Sequence, residues 1–460
     1  MVNLMNSLST ASQSLDAQQF GLDVTGQNIA NVNTAGYTKR SVDLVETTMP
    51  GGASDGGVTI AGSTAQRDSF LEARLRSLQS PLALDGAVSD SLSIVQTSLG
   101  SAGSSLDASF AAFFQSFAAL AQDATSATSR TGVVSTGQQL AGQFNSLAAQ
   151  FSASRQQADA QVRGGVNQIN TLAAQIASLN GTIASANGAD VNSLRDQRDV
   201  ALSSLAKLSN IGVMTRPDGA VDVTIGNGRA LVVGATSYAL TATSTPPNGE
   251  TSVGINGLDI TGELTGGQMG GWLNVRDTLI PGYQAQLDQL AFTTVQQVNA
   301  AHQAGTDANG NTGNNFFTPL ATASGAAAAI AVDPALAADS SRTAASSTGT
   351  AGDNQTAKAI AALGDAHIAS GGTATLTQGW SQLVYQVGSD AQTAQSNQQA
   401  HQSVLSAVQQ LRDSVSGVSL DDEATALMTF QRGYQANAKY FSTVNTILDV
   451  LMGMAGVTLS

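Results

Sequence analysis

Proline is confined to a few short stretches of this chain, and its distribution limits the possible fold more than any other feature. Only 8 of the 460 residues are proline, and the segments 82–216 and 335–460 contain none. Proline breaks helices because it lacks a backbone N–H and clashes with the preceding turn, so long proline-free segments permit long helices. Apolar residues recur at spacings of three and four from Leu140 to Phe151 and from Val162 to Ile183. The sequence therefore predicts two long helical arms around a central insertion.

The segment between residues 211 and 268 loses the helical period. Apolar and polar residues alternate from Val221 to Ile225, and the turn-like sequence 226–229 separates them from a second apolar run. This pattern predicts short strands in hairpins, inserted as a small β-rich outer domain. The helical period then returns, and Pro281 is expected at a kink or at the start of a helix.

The segment 304–356 is rich in Ala, Gly, Ser, Thr and Asn and has few large apolar residues. This composition predicts loops and weakly ordered surface. The loop that begins at Asp307 resembles a calcium loop, but Thr312 occupies the position of the required glycine and Thr318 that of the bidentate glutamate. We therefore predict a polar turn and no metal site.

Each end of the chain carries an apolar stripe with a seven-residue spacing typical of coiled coils. A single amphipathic helix cannot bury such a stripe alone, so we expect the two ends to pair or to pack into an assembly. The alternative is that each stripe completes the core of its own domain. The residues assigned to this axial packing are Leu8, Leu15, Leu22 and Ile29 at the N-terminal end and Leu427, Tyr434, Phe441 and Leu448 at the C-terminal end.

The composition excludes several classes of protein. The net charge of −14 argues against binding to nucleic acid, which requires clustered Lys and Arg. Cysteine is absent, so disulfides and thiolate metal sites are excluded. No stretch approaches the roughly 18 to 20 apolar residues that a membrane span needs. The N-terminus lacks the basic and apolar regions of a cleaved signal peptide, so we expect a cytoplasmic protein or one exported by another route.

No catalytic site is visible in the sequence. The three histidines, His302, His367 and His401, are far apart in sequence and have no nucleophile motif around them. The Arg–Asp pairs at 195–196, 198–199 and 276–277 are interpreted as structural ion pairs or helix caps rather than as a charged binding surface. We expect no enzyme activity and no cofactor.

Two terminal motifs and one internal motif point to a family. The segment Gly21–Val42, which contains Asn28, Asn31, Asn33, Gly36 and Tyr37, is similar to the N-terminal motif of flagellar axial proteins, and 414–451 resembles their C-terminal motif. The interior identifies the member. Residues 191–208 and 270–305 resemble the family of flagellar hook-associated protein 1, and the internal motif residues are Arg276, Asp277, Pro281 and Tyr283.

The resemblance implies a non-enzymatic structural subunit at the junction between the hook and the filament of a bacterial flagellum, needed for filament assembly. In that family the subunits form a ring of about eleven copies, with the hook protein below and the second junction protein above. They leave the cell through the flagellar type III export apparatus, after a cytoplasmic chaperone has bound the C-terminal helix. The expected location is therefore extracellular, at the hook–filament junction, with a transient cytoplasmic stage.

Together these observations predict an elongated, multidomain α+β axial protein with coiled-coil termini. The predicted segments are an N-terminal inner-core helix (1–40), a helical middle domain (41–210 and 269–415, with the loop-rich 304–356), the β-rich outer domain (211–268) and a C-terminal inner-core helix (416–460). Two alternatives stay open: another axial subunit, such as the hook protein or the second junction protein, or a surface adhesin that binds through its β domain.

Overall fold

The computed structural model describes residues 2–34, 36–48, 54–100, 105–186, 191–245 and 249–454. Residues 1 and 35 of the predicted segment 1–40, and the last six residues of the predicted segment 416–460, lie outside the described residues. The chain divides into two compact units. Unit 1 comprises Met1–Ser80, Gln168–Leu240 and His401–Ser460, and unit 2 comprises Pro81–Asn167 and Thr241–Ala400.

The described residues are mostly helical with small antiparallel sheets, which confirms the predicted fold class. The helices are α1 (Val2–Ala30), α2 (Ser69–Leu99), α3 (Leu106–Gln122), α4 (Ala127–Ser185), α5 (Asn192–Leu208), α6 (Gly267–Asn274), α7 (Ile280–Gln303), α8 (Ala326–Ala329), α9 (Pro334–Ala338), α10 (Gln355–Ala362), α11 (Leu376–Ser416) and α12 (Leu420–Met454). A π-helical turn, Val275–Leu279, joins α6 to α7, and 3₁₀ turns lie at Thr261–Glu263 and Ser340–Arg342.

The strands form three separate antiparallel sheets in the described residues. They are β1 (Arg40–Thr48), β2 (Ser54–Ala65), β3 (Ile211–Thr215), β4 (Val221–Ile225), β5 (Arg229–Val233), β6 (Thr236–Ser237), β7 (Leu240–Thr245), β8 (Glu250–Ile255) and β9 (Leu258–Asp259). The sheet orders are β1-β2, β3-β4-β5-β6 and β7-β8-β9. The predicted turn at 226–229 connects β4 to β5, with Gly226 and Gly228 at positive φ.

Two features of the segment 41–210 were not predicted. The strands β1 and β2 occupy part of the segment 41–210, for which helix is predicted; both contain several valine and threonine residues, which favour strands. Pro81 stands just before the proline-free segment 82–216, yet it lies inside α2 and does not end that helix. An interior proline costs a helix roughly 3 kcal/mol. Burial of Leu78 and Val88, one on each side of Pro81, offsets that cost.

The β-rich insertion is not one domain in the structure but two sheets, each attached to its own part of α4. In unit 1, Asn180 is fully buried, and its Nδ2 donates to the carbonyl oxygens of Val221 (2.7 Å) and Gly234 (2.8 Å). In unit 2, the carboxylate of Asp159 accepts from the backbone N–H of Thr251 at 2.8 Å. Each polar side chain satisfies backbone groups that would otherwise be buried without a partner.

Phenylalanine dominates the core of unit 2. Phe110, Phe113 and Phe117 lie on one face of α3, because residues three and four apart in a helix point to the same side. The ring of Phe113 contacts the rings of Phe114, Phe117, Phe316 and Phe317, with centroid distances of 5.2 to 5.7 Å. These edge-on and tilted arrangements are favourable for aromatic pairs.

The segment 304–356 contributes to this core. Four of its larger apolar side chains, Phe316, Phe317, Ile330 and Leu336, are at most 1% exposed and belong to the hydrophobic cluster of unit 2. The prediction of weakly ordered surface is therefore wrong for these residues. Composition was misleading because a few well-spaced large side chains anchor a segment whose other residues are small and polar.

Candidate assembly surfaces

The terminal helices α1 and α12 pack against each other in unit 1. Two glycines allow close approach. A Cβ added to Gly21 would lie 2.5 Å from the ring of Phe430, and one added to Gly433 would lie 2.5 Å from Oε1 of Gln18. Each helix therefore has a notch that is filled by a side chain of the other.

The most deeply buried residues of α1 are small or polar. Ala11, Ala17, Val24, Thr25 and Asn28 are between 1% and 4% exposed. The sequence-predicted residues of α1 lie beside this face and are only half-buried; these are Leu8, Leu15, Leu22 and Ile29. Their role in axial packing stays a prediction.

The predicted stripe on α12 is not uniformly buried. Leu420 and Tyr434 are 52% and 39% exposed, whereas Leu427, Phe441 and Leu448 are half-buried. The most deeply buried apolar residue of α12 is instead Val444, which is 5% exposed. The role of the predicted residues in axial packing therefore stays a prediction.

A second apolar stripe on α12 remains exposed. Its members follow spacings of seven, four and three, so they share one face of the helix. We call this face the outer stripe, and its residues are Tyr440 (48% exposed), Ile447 (46%), Leu451 (42%) and Met454 (82%). An exposed apolar patch of this kind is typical of a surface that binds another protein.

Asn28 is the centre of the N-terminal motif. It is 1% exposed, and its Oδ1 accepts from the hydroxyl of Tyr37 (2.8 Å) and the backbone N–H of Arg40 (3.0 Å). Its Nδ2 donates to the carbonyl oxygen of Arg40 and to Oε2 of Glu423, both at 2.9 Å. Glu423 also pairs with Lys39 at 3.2 Å. Glu423, in the first turn of α12, therefore binds the segment through which the chain leaves α1.

The remaining residues of this motif shape the turn after α1. Nδ2 of Asn31 donates to the carbonyl oxygen of Gln27 at 2.9 Å, which closes the last turn of the helix. Gly36 has a φ of +81°, and a Cβ there would lie 2.5 Å from Val200, so only glycine fits. Asn33 is exposed. The motif is thus mainly a device for turning the chain tightly against α5.

Ion pairs attach the first hairpin to α5. Asp196 pairs with both Arg67 and Arg40, and Asp199 pairs with Arg67. Burial raises the pKa of Asp196 above its usual value, and the charges of Arg67 and Arg40 oppose that effect. The guanidinium of Arg40 also lies 5.2 Å from the ring centroid of Tyr37. The acidic members of the pairs 195–196 and 198–199 thus form ion pairs with the first hairpin rather than with each other's arginines.

Arg276 is the centre of the internal motif and lies in unit 2. Its side chain is only 3% exposed. Nη1 donates to Oδ1 of Asp159 at 2.8 Å and to the carbonyl oxygen of Thr251 at 2.7 Å. Nε donates to Oδ1 of Asp277 at 2.7 Å. Burial alone would raise the pKa of Asp159, but hydrogen bonds from Thr251 and Arg276 hold it below its usual value. This network ties β8 and α4 to the π-helical turn. π-helical turns concentrate at functional sites.

The other two internal motif residues stabilise α7. Pro281 lies in its first turn, directly after the π-helical turn, so it stands where one helical form passes into another rather than at a free helix end. Tyr283 is 3% exposed and donates its hydroxyl proton to Oδ2 of Asp390 at 2.7 Å. Burial raises the pKa of Tyr283 well above its usual value, so the phenol stays protonated.

The sequence did not reveal the partners of these motif residues. The structure assigns the N-terminal motif to unit 1 and the internal motif to unit 2. The contacts of Glu423 with Asn28 and of Asp159 with Arg276 were not predicted, because the partners are 395 and 117 residues apart in sequence. An acidic residue in the first turn of a helix, or within a long helix, gives no indication of such a distant partner.

The described residues hold no group of three or more His, Asp or Glu side chains arranged to bind a metal ion. The carboxylate of Asp307 accepts instead from the backbone N–H groups of Asn309 and Asn311, both at 2.8 Å, which confirms the predicted polar turn. In the described part of the chain, none of the helices combines the length and apolar character that crossing a membrane requires.

Comparisons with known proteins agree with the resemblance at both ends and in the interior. The model of the flagellar hook-associated protein FlgK helical domain matches residues 92–317. The model of the flagellar basal body rod FlgEFG protein C-terminal matches 409–454, and that of the flagella basal body rod protein matches 8–38.

Curated relatives match over almost their whole length. The chain is 27% identical to flagellar hook-associated protein 1 of Escherichia coli K12, over 97% of this chain and 99% of the relative. It is 26% identical to flagellar hook-associated protein 1 of Bacillus subtilis 168, over 99% of each. The solved structure of the flagellar hook junction protein FlgK from Burkholderia pseudomallei superposes with a TM-score of 0.67 at 19% identity, covering 75% of this chain and 100% of that one. At that identity the solved structure supports the fold alone.

Proposed function

Because this chain belongs to the family of flagellar hook-associated protein 1, we propose that it is a structural subunit of the bacterial flagellum. It forms the junction between hook and filament and is needed for filament assembly. The proposal assigns it no enzymatic activity.

One observation carries the assembly role: α12 has more apolar surface than α1 covers. The notches at Gly21 and Gly433 seat Phe430 and Gln18, yet the outer stripe remains exposed. Exposed apolar side chains gain roughly 25 cal/mol per Å² when a partner removes them from water. Copies of this chain packed side by side would bury the outer stripe, together with the predicted axial residues Leu427 and Tyr434.

The proposed partners are other copies of this chain, neighbouring flagellar proteins and an export chaperone. The segments 1–40 and 416–460 form the inner core of a ring of about eleven copies. The hook protein lies below this ring and the second junction protein above it. Before export by the flagellar type III apparatus, a cytoplasmic chaperone covers α12, whose outer stripe would otherwise remain exposed in the monomer. The protein is therefore cytoplasmic only before export and extracellular at the hook–filament junction afterwards.

The test is complementation of a strain that lacks the gene, scored by electron microscopy and by flagellin in the medium. The null strain is expected to make hooks without filaments and to release flagellin monomer. A chain that ends at Leu420 should not restore filaments. Normal filaments in the null strain would overturn the junction role, and loss of hooks would point instead to a rod or hook subunit.

A matched pair of variants tests α12 itself. Leu427→Asp with Tyr434→Asp is expected to abolish filament growth, because it places two charges in a surface that must become buried. Gln431→Asp with Gln435→Asp adds the same charge to the same helix at two exposed polar positions, and should leave growth intact. Equal growth with both pairs would contradict the proposal that this face is an assembly surface.

A further inference from the structure

His302 is buried at the end of α7, between two stretches of the segment 304–356. The side chain has no exposed surface, and its ring lies 5.6 Å from the ring of Phe316. On one side it meets the polar turn 306–314, and on the other it meets residues 343–346, which are all less than 9% exposed. It is the only histidine with this degree of burial in the described part of the chain.

Both ring nitrogens of His302 are used, and their partners fix its protonation state. Nε2 lies 2.9 Å from the backbone N of Ala344, which is able only to donate, so Nε2 accepts. Nδ1 lies 2.8 Å from the carbonyl oxygen of Asn314, which is able only to accept, so Nδ1 carries the proton. A second proton on Nε2 would point at the N–H of Ala344. The folded arrangement is therefore compatible only with the neutral ring.

The charged groups around the ring reinforce this condition. Arg130, from the first turn of α4, is 6% exposed and donates to the carbonyl oxygen of Thr343, beside the strand that His302 holds. It would repel a charged imidazole. Asp307 and Asp333 would attract one, but the carboxylate of Asp307 is already occupied by the turn's own amide groups. Arg342 binds the side chain of Asn314 at 3.2 Å.

We propose that His302 is a proton-sensitive latch that holds residues 343–346 against the end of α7 and releases them in acid. We call the contact between residues 343–346 and the end of α7 the seam. Thr306 supports it by donating its backbone N–H to the carbonyl oxygen of Ser346 at 2.7 Å. When His302 gains a proton, the bond from Ala344 is lost and a cation stands unpaired in an apolar pocket. The seam must open for the ring to reach water.

The sign of the pH effect follows from burial. Burial lowers the pKa of His302 below its usual value, and the hydrogen bond to Asn314 and the charge of Asp307 only partly oppose this. The open form then binds the proton more tightly than the closed form. The closed seam is fully stable above the ordinary histidine pKa of about 6.5 and weakens as the pH falls below it.

Hydrogen exchange of the full chain, corrected for the intrinsic pH dependence, tests the latch. Because the open form binds the proton more tightly, lowering the pH from 7.5 to 5.0 should reduce the protection of residues 343–346, by at most about thirtyfold, the limit that the ordinary histidine pKa of about 6.5 sets. His302→Gln places an acceptor near Ala344 and a donor near Asn314 but does not titrate, so its protection should be the same at both pH values. The sheet β3-β4-β5-β6 is the internal control and should not change. An equal loss in wild type and variant would overturn the proposal.

A measurement on the wild type keeps the test decisive if the variant does not fold. The C–H resonances of its imidazole ring report the titration of His302. We expect this signal to titrate at a lower pH than an ordinary histidine, whose pKa is about 6.5. A His302 that titrates at about 6.5 while residues 343–346 stay protected would show that the ring is no latch.

Discussion

The terminal helix pair of unit 1 and the phenylalanine core of unit 2 bury their apolar side chains to different extents. In the core, the large side chains of α3 are enclosed by α4, α7 and the segment 304–356, and residues such as Phe113 and Phe117 have no exposed surface. In the helix pair, small residues and two notched glycines make the contact, and apolar side chains on α12 remain outside. One region is complete within the chain. The other has apolar surface left over for a partner.

The unit that carries the exposed apolar stripe, unit 1, also has the smaller net negative charge. Unit 2 contains 6 Lys and Arg against 16 Asp and Glu, a net of −10, whereas unit 1 contains 13 against 17, a net of −4. Most of the repulsion between copies would therefore come from unit 2. Unit 1, with the weaker net charge and the exposed stripe, is the more favourable region for close packing of copies.

The largest expected effect on stability is in the phenylalanine core. Phe113→Ala should lower the free energy of unfolding of unit 2 by about 3 to 5 kcal/mol, because it removes a ring that four other rings contact and leaves a cavity. Both tryptophans, Trp272 and Trp380, lie in unit 2, so urea unfolding followed by tryptophan fluorescence reports on this unit. Tyr385→Ala is the control, since that side chain is 74% exposed. A similar loss from both changes would show that the buried ring of Phe113 contributes no more to stability than an exposed ring.

The next largest effect is expected at the hub of the helix pair. Asn28→Asp removes the donors to Arg40 and Glu423 and places a second carboxylate beside Glu423. We expect a loss of about 2 to 3 kcal/mol, the cost of unsatisfied buried groups. Faster hydrogen exchange in residues 36–40 and in the first turn of α12 is the measurement. Asn33→Asp adds the same charge at an exposed position and should leave both regions unchanged.

A smaller effect with a sharper control is expected at the notch of α1. Gly21→Ala forces the ring of Phe430 to move and should weaken the helix pair by about 1 to 2 kcal/mol, as overpacking does. Gly26→Ala lies on the same helix with nothing within 4 Å of the new methyl group, and should stabilise α1 by roughly 0.5 to 1 kcal/mol. Stability changes of opposite sign, measured by the hydrogen-exchange protection of α1, would show that Phe430 fills the space at Gly21. Changes of the same sign for both variants would refute this.

Periodicity recovered the elements whose pattern repeats many times along the chain. The spacing around Phe144 and Ile176 predicted a long helix, and α4 has 59 residues. Alternation at Val221 and Val223 predicted β4, because both side chains face the interior of a small sheet. Gly36, which the sequence analysis names only as part of the N-terminal motif, has a positive φ, a conformation that favours glycine.

Contacts between distant residues were beyond such reasoning. A period states that a side chain lies on one face of a helix, but not which element covers that face. The leucines Leu8 and Leu15 were therefore expected at the centre of the helix contact, where Ala11 and Ala17 are in fact the more deeply buried residues. The same limit hid the pairing of Asn28 with Glu423 and the burial of Phe316 and Phe317, which depends on the rings of α3.

The smallest expected effect on monomer stability comes from comparing an exposed with a buried apolar side chain of α12. Ile447→Ser, in the outer stripe, should change the free energy of unfolding by no more than about 0.5 kcal/mol, because the side chain is 46% exposed. Val444→Ser, three residues earlier and 5% exposed, should cost roughly 2 kcal/mol. Exchange protection of α1 and α12 gives both values.

The order should reverse for assembly. Apolar side chains that are exposed in the monomer stabilise an assembly when another surface covers them, so Ile447→Ser should block filament growth in the null strain while the monomer stays fully folded. Val444→Ser, in contrast, should loosen the helix pair in the monomer itself. If Ile447→Ser supports normal growth and also leaves the monomer unchanged, the outer stripe is ordinary exposed surface. The terminal pair would then be as complete within the chain as the phenylalanine core.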